Sequence, residues 1–223
     1  MNAPTRTSSH NAPGIGVLAA IGFLLAYLAV GPASGAFVDR PLPMPGAPAA
    51  EVAAFYVANP TAVAITAVLQ TVSVACFALF VAGLAPALRV AGAAWLALVG
   101  YSSTAAMLVS VALSGVLAVL APSAGDTTIT VLREGSFYAG GVANVVLLGV
   151  FVFGSALVLG RDRLFGPPTR WFGFVAGTFA MLSVLSLAIY YAMPLLPVGR
   201  ILSMVWTVTA AAVVMRRVQA EVR

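Results

Sequence analysis

Gln70, Tyr101, Ser103 and Asn144 are the residues of this sequence best suited to orienting a small molecule, because each sets a hydrogen-bonding group inside an apolar run. A carboxamide offers both donors and acceptors. Left unpaired in hydrocarbon it costs several kcal/mol, so Gln70 and Asn144 each require a partner. Two readings follow. In the simpler one the amides are interhelical glue, worth about 0.6–2 kcal/mol per contact. In the sharper one they line an intramembrane polar cavity with Tyr101 and Ser103 and orient a lipid headgroup or a small neutral ligand.

Other chemistries lack their residues. The one histidine is His10, in a polar N-terminal tail, so no bis-histidine haem or histidine-held metal is expected within the apolar segments. A serine hydrolase lacks a base, and no HExxH, GxSxG or phosphate-loop pattern occurs. Cys76 stands alone, which excludes a disulfide framework and a CxxC centre. Asp39, Glu51, Asp126 and Glu134 have no metal-ligand spacing, and Arg133 with Glu134 reads as a solvated loop pair. No charged residue sits well inside any apolar run, whereas ion-coupled pumps usually need one there. The expectation is a protein that is not an enzyme and has no cofactor or metal.

The elements that must position these residues follow from composition. The chain has 223 residues, 61% of them hydrophobic, with a mean hydropathy of +1.05. Only 8% are charged, against about 25% in a soluble domain. That is too little charge to coat a water-facing surface, so the class is an all-α polytopic membrane protein of one domain. Continuous apolar runs, with no period-two alternation, argue against a β-barrel. All 11 basic residues are arginine, which together with the abundant Ala and Val reads as a coding bias. No basic cluster exceeds Arg216-Arg217, so the net charge of +5 does not indicate nucleic acid.

Six spans are expected, over about 14–31, 60–88, 91–120, 136–160, 171–193 and 198–215, between tails at 1–13 and 216–223. Arg6 and Ala33-Ser34-Gly35 also fit a signal peptide cleaved after Gly35, but the length of the first run favours a retained helix. Between the first two spans, Pro32, Pro41, Pro43, Pro45 and Pro48 keep the chain extended. Residues 49–58 then read as a short interfacial helix with Val52, Phe55 and Tyr56 on one face. Pro122 to Gly135 reads as a polar loop. The charge-free core of span six is about 22 Å long, so Arg200 and Arg216 are expected to snorkel.

Small and polar residues mark helix contacts in lipid. They form stripes at Thr66, Gln70 and Ser73; at Gly100, Ser103, Met107, Ser110 and Ser114; and at Gly141, Asn144 and Ser155. Ser183, Ser186 and Tyr190 continue the pattern in span five, and Ser203 and Thr207 in span six. Gly173 and Gly177 make a GxxxG, expected to serve close packing within the monomer.

Arg161-Asp162-Arg163-Leu164-Phe165-Gly166-Pro167-Pro168-Thr169-Arg170-Trp171 is the most charged stretch and must stay in water. An even span count puts both termini on one side. That side carries Arg6, Arg89, Arg161, Arg163, Arg170, Arg216, Arg217 and Arg223, against Arg40, Arg133 and Arg200 on the other. The positive-inside rule therefore places both termini in the cytoplasm of a plasma-membrane protein. Tyr27, Tyr56, Tyr138, Tyr190 and Tyr191 would belong to the outer aromatic belt, Trp95 and Trp171 to the inner.

The arginine loop running into Pro167–Gly173 resembles uncharacterised bacterial multi-pass membrane proteins catalogued as a domain of unknown function, common in high-GC bacteria. So do Glu51-Val52-Ala53-Ala54-Phe55-Tyr56, Asn59, and the span with Phe77, Phe80 and Leu88-Arg89. The resemblance covers most of 14–215. It implies a six-helix bundle and supplies neither an activity nor a site residue. The functional expectation is an accessory, sensory or lipid-binding bundle whose partners are the bilayer and a lipid or small neutral ligand. The alternative is a small carrier or channel-like protein for a neutral or lipidic solute.

Overall fold

The structure, a computed structural model, describes residues 12–38 and 42–221. Arg6, His10, Asp39, Arg40 and Arg223 lie outside the described residues. Within them the chain is all helical, with six helices long and apolar enough to cross a membrane. That composition is compatible with an integral membrane protein.

α1 (Ala12–Gly35), α3 (Pro60–Val90) and α4 (Trp95–Leu120) are long apolar helices. α2 (Ala49–Ala58) is the short helix expected over 49–58. Pro60 is the first residue of α3, where its missing N–H removes no helical bond. Gly92, at φ +71°, makes the turn between α3 and α4, a conformation that disfavours a side chain.

α5 (Asp126–Ser136), a π-helical stretch over Phe137–Ala143 and α6 (Asn144–Arg161) form one continuous run. This corrects the loop expected over 122–135. Asp126 opens α5 at the end where a helix favours negative charge. Ile129 and Ser136 then bury on one face while Asp126 stays in solvent. Asp126, Thr127, Thr128 and Thr130, which imitate a loop, are the outer face of an amphipathic helix.

α7 (Pro167–Leu182) ends earlier than the span expected over 171–193. Tighter 3₁₀ turns follow at Ser183–Leu187 and Tyr190–Ala192. Ser183 Oγ donates to Ala180 O (2.6 Å), and Ser186 Oγ to Ser183 O (2.7 Å). These i→i−3 bonds offer the last carbonyls an alternative to the α-helical ladder. α8 (Leu195–Glu221) extends beyond 198–215 at both ends. Pro197 does not stop it, because it falls in the first turn.

The six long helices close into a ring in the order α1, α3, α4, α6, α7, α8 and back to α1. α6 belongs to the most buried of the spans. The main apolar core fills the half of the bundle next to the 91–94 and 162–166 turns. There Phe77 meets Phe23 at 4.8 Å and Phe151 edge-on at 5.5 Å, while Phe165 meets Trp206 at 5.7 Å. The Trp206 indole donates to Thr169 O (3.0 Å), which ties α8 to the start of α7. In the other half a smaller apolar cluster of Val52, Tyr56, Leu117, Ala121 and Ile129 joins α2, α4 and α5. Packing there is incomplete, and the gap is the candidate site.

Candidate functional site

The stripe of α4 organises the interior. Gly100 packs against Val81 and Phe151, and Ser103 is fully buried. One turn on, Met107, Ser110 and Ser114 reach a cavity of about 640 Å³. The cavity lies between the end of α1, the segment before α2, the first half of α3, the second half of α4, the π-helical stretch and the start of α8. Its volume falls within the roughly 300–1,000 Å³ of small-molecule sites.

Two side chains dominate its wall: Arg133 of α5 and Arg200 of α8. Both contradict the sequence expectation. Arg133 does not pair with Glu134; its Nη2 donates to Pro43 O (2.8 Å). Arg200 does not snorkel away from the bundle. Its Nη2 donates to Gly140 O and to Asn144 Oδ1 (3.1 Å), and Nη1 donates to Tyr27 Oη (3.4 Å). Its guanidinium also lies over the Tyr27 ring, 5.2 Å from the centroid. A charged side chain therefore does enter the bundle. The Nε atoms of both arginines are buried without a hydrogen-bond partner.

The π-helical stretch supplies an acceptor for Arg200: Gly140, within it, presents the carbonyl that the guanidinium meets. Gly140 also packs so tightly on Ser110 that a side chain there would strike the hydroxyl.

The four residues singled out from the sequence separate into three groups. Asn144 is buried and bonded on every side. Its Nδ2 donates to Ser103 O (2.9 Å) and Ser103 Oγ (3.0 Å), Ser103 Oγ donates to Asn144 O (2.9 Å), and Oδ1 accepts from Arg200. Asn144 and Ser103 are thus interhelical pairing that holds Arg200 in place, and they do not line the cavity. Gln70 does line it, with Thr66 one turn away, and makes no side-chain hydrogen bond among the described residues. Tyr101 is corrected: it lies off the α4 stripe, 41% exposed, and takes no part in the cavity.

This division predicts unequal mutants. Asn144→Leu leaves buried acceptors and a guanidinium short of partners, at about 1–3 kcal/mol per orphaned group. Thermal unfolding in mild detergent should show a clear loss of stability. Gln70→Leu removes no bond within the protein and should melt within error of wild type. Equal losses for the two would contradict the assignment.

A hydroxyl cluster completes the wall. Ser110 Oγ donates to Ser136 O (2.7 Å), Ser136 Oγ to Ser110 O (3.1 Å), and Ser114 Oγ lies 2.8 Å from Ser136 Oγ. Apart from Ser34, Tyr56 and Thr66, the remaining lining is mainly apolar, from Val30, Leu42, Phe55, Met107, Phe137 and Met193 among others. No carboxylate, thiol or imidazole of the described residues lines it. The cavity can bind and orient through its cations, hydroxyls and one carboxamide.

Gly173 and Gly177 serve another contact. A Cβ built on Gly177 would lie 2.8 Å from Gly149 O, and one on Gly149 would lie 2.9 Å from Gly177 O, so α6 and α7 touch backbone to backbone. At Gly173 the neighbours are the Ala156 side chain and the Trp206 indole. The GxxxG is spent inside the monomer. Compared with protein-family models, curated proteins and solved structures, the chain matches none.

Proposed function

We propose that this chain is a non-enzymatic helical bundle of the bacterial plasma membrane that holds a lipid or other amphiphile in the cavity between its helices. The observation that carries the reading is the cavity itself: about 640 Å³, mainly apolar, with Gln70 and two arginine side chains on its wall. An accidental packing gap in an apolar bundle would be lined by apolar atoms and would not gather polar groups. A carrier or channel is the weaker reading, because the lining comes from one half of the bundle while the other half is filled with aromatic and aliphatic side chains. The test is whether a bound molecule accompanies the wild-type protein from the membrane and is lost when the cavity is filled by Ala67→Phe.

Both termini are proposed to be cytoplasmic. Arg89, Arg161, Arg163, Arg170, Arg216 and Arg217 belong to one end of the ring. The described arginines of the other end, Arg133 and Arg200, are those turned to the cavity. The positive-inside rule then places the cavity in the extracytoplasmic half. A reporter active only outside the cytoplasm should work when inserted at Ser123–Gly125, the turn before α5, and be silent at Arg161–Gly166. The reverse pattern would overturn the orientation. The resemblance to high-GC bacterial multi-pass proteins is proposed on the same footing and adds no activity.

A further inference from the structure

Arg133 and Arg200 bring two positive charges to one cavity, and no carboxylate of the described residues lines it. On the same half of the bundle Glu51 and Asp126 are exposed to solvent, and Glu134, half-buried, makes no ion pair with either arginine and does not line the cavity. A guanidinium does not lose its proton in a protein. In surroundings of low polarity an uncompensated charge is costly and is normally paired. The bonds within the protein compensate only in part. They are accepted by neutral groups: Pro43 O, Gly140 O, Asn144 Oδ1 and Tyr27 Oη. Each Nε remains buried and unused. The Nε edge of a guanidinium is one side of the fork that meets two oxygens of a single oxyanion.

We infer that the cavity selects an anionic single-chain amphiphile, its carboxylate or phosphate head drawn to Arg133 and Arg200 and its hydrocarbon chain against the apolar wall. The inference rests on the binding role proposed above and adds the sign of the head. Gln70 is a neutral group within the same wall, and its carboxamide N–H groups can donate to the oxygens that the cations leave free. Val30, Leu42, Phe55, Met107 and Phe137 suit the chain. A cationic head would meet two like charges. A neutral head would leave the arginines uncompensated. The position of Arg200 is fixed by neighbours, since Asn144 and Gly140 hold the same Nη2. A site held in advance by such neighbours loses less on binding.

The test uses full-length protein, stripped of lipid in a non-ionic detergent, titrated with dodecanoate, dodecyl phosphate, dodecanol and inorganic phosphate and read by native mass spectrometry. One charge-assisted contact corresponds to about a 10- to 100-fold change in affinity. Dodecanoate or dodecyl phosphate should therefore bind at least about tenfold more tightly than dodecanol. Whichever anion binds more tightly identifies the head as carboxylate or phosphate. Arg133→Gln and Arg200→Gln should each remove most of that preference and leave dodecanol binding unchanged. Arg133→Gln guards against misfolding, because it gives up a single recorded bond, to Pro43 O, while Arg200 also supports Asn144. Equal binding of dodecanol and the anions would overturn the inference and leave the cavity reading intact. Inorganic phosphate binding as tightly as dodecyl phosphate would overturn it too, since the chain would then contribute nothing. No binding by any chain-bearing probe, in wild type and in Ala67→Phe alike, would instead sink the binding role itself.

Discussion

Gly177→Leu should yield no folded, monodisperse protein, whereas Gly83→Ala should fold normally and melt no earlier than wild type. At Gly177 the first side-chain carbon would already lie 2.7 Å from Phe153 Cβ and 2.9 Å from Phe153 N. Phe153 N and, at 2.8 Å, Gly149 O belong to the backbone of α6 and Phe153 Cβ is fixed to it, so no rotamer change moves them aside. Overpacking typically costs about 1–3 kcal/mol where side chains can yield. Here a whole helix would have to shift, and α6 belongs to the most buried span of the ring. Its displacement would also disturb Asn144 and, through it, Arg200. Gly83 has open space around it, and alanine there gains the roughly 0.8–1 kcal/mol difference in helix propensity. Size-exclusion profiles and melting curves in mild detergent check both. A Gly177→Leu protein that behaves like Gly83→Ala would show that α6 and α7 do not meet as described.

Much of the fold is legible in the chain because its physics is local. Long apolar runs can satisfy their backbone in hydrocarbon only as helices. Small residues repeat where helices approach. The Gly100–Ser114 stripe shows this: its first members sit at helix contacts, and Met107, Ser110 and Ser114 reach the cavity. The short helix at 49–58 was equally readable from Val52 and Tyr56, both of which are buried.

The inward arginines run against what their charge suggests, although their registers carry the information. Arg200 stands three, four and seven residues before Ser203, Met204 and Thr207, all buried, so it shares their face of α8. Arg133 lies four residues after Ile129 and three before Ser136, again both buried. In each case the charge itself argued for solvent and outweighed the periodicity. The acceptors that make an inward arginine tolerable are distant in sequence: Gly140 O is 60 residues from Arg200, and Tyr27 is 173. A π-helical stretch has no clear mark in the residues. Tyr101 failed for the opposite reason. Its type suits a polar cavity, but one residue from Gly100 is about 100° around the helix, which turns it away from the stripe.

The second large effect concerns occupancy. Ala67 lines the cavity from α3, between Thr66 and Gln70, which line it too. A phenyl ring there occupies the space of the bound molecule without touching the arginines or the α6–α7 contact. Thr66→Phe does the same from the neighbouring position. Because the gap is already present, these substitutions fill space rather than strain a packed core, and such changes are commonly neutral or stabilising. Binding and folding therefore separate: melting temperature should hold or rise while the bound molecule disappears. Loss of stability together with loss of binding would instead mean that the side chain had been forced into packed atoms.

The mass of the intact protein released from native membrane into the gas phase tests the binding claim most directly. Wild-type protein should carry one adduct of reproducible mass, and Ala67→Phe and Thr66→Phe should fly at the mass of the bare chain while melting no earlier than wild type. A bare wild-type mass, or an adduct that survives both substitutions unchanged, would contradict the account.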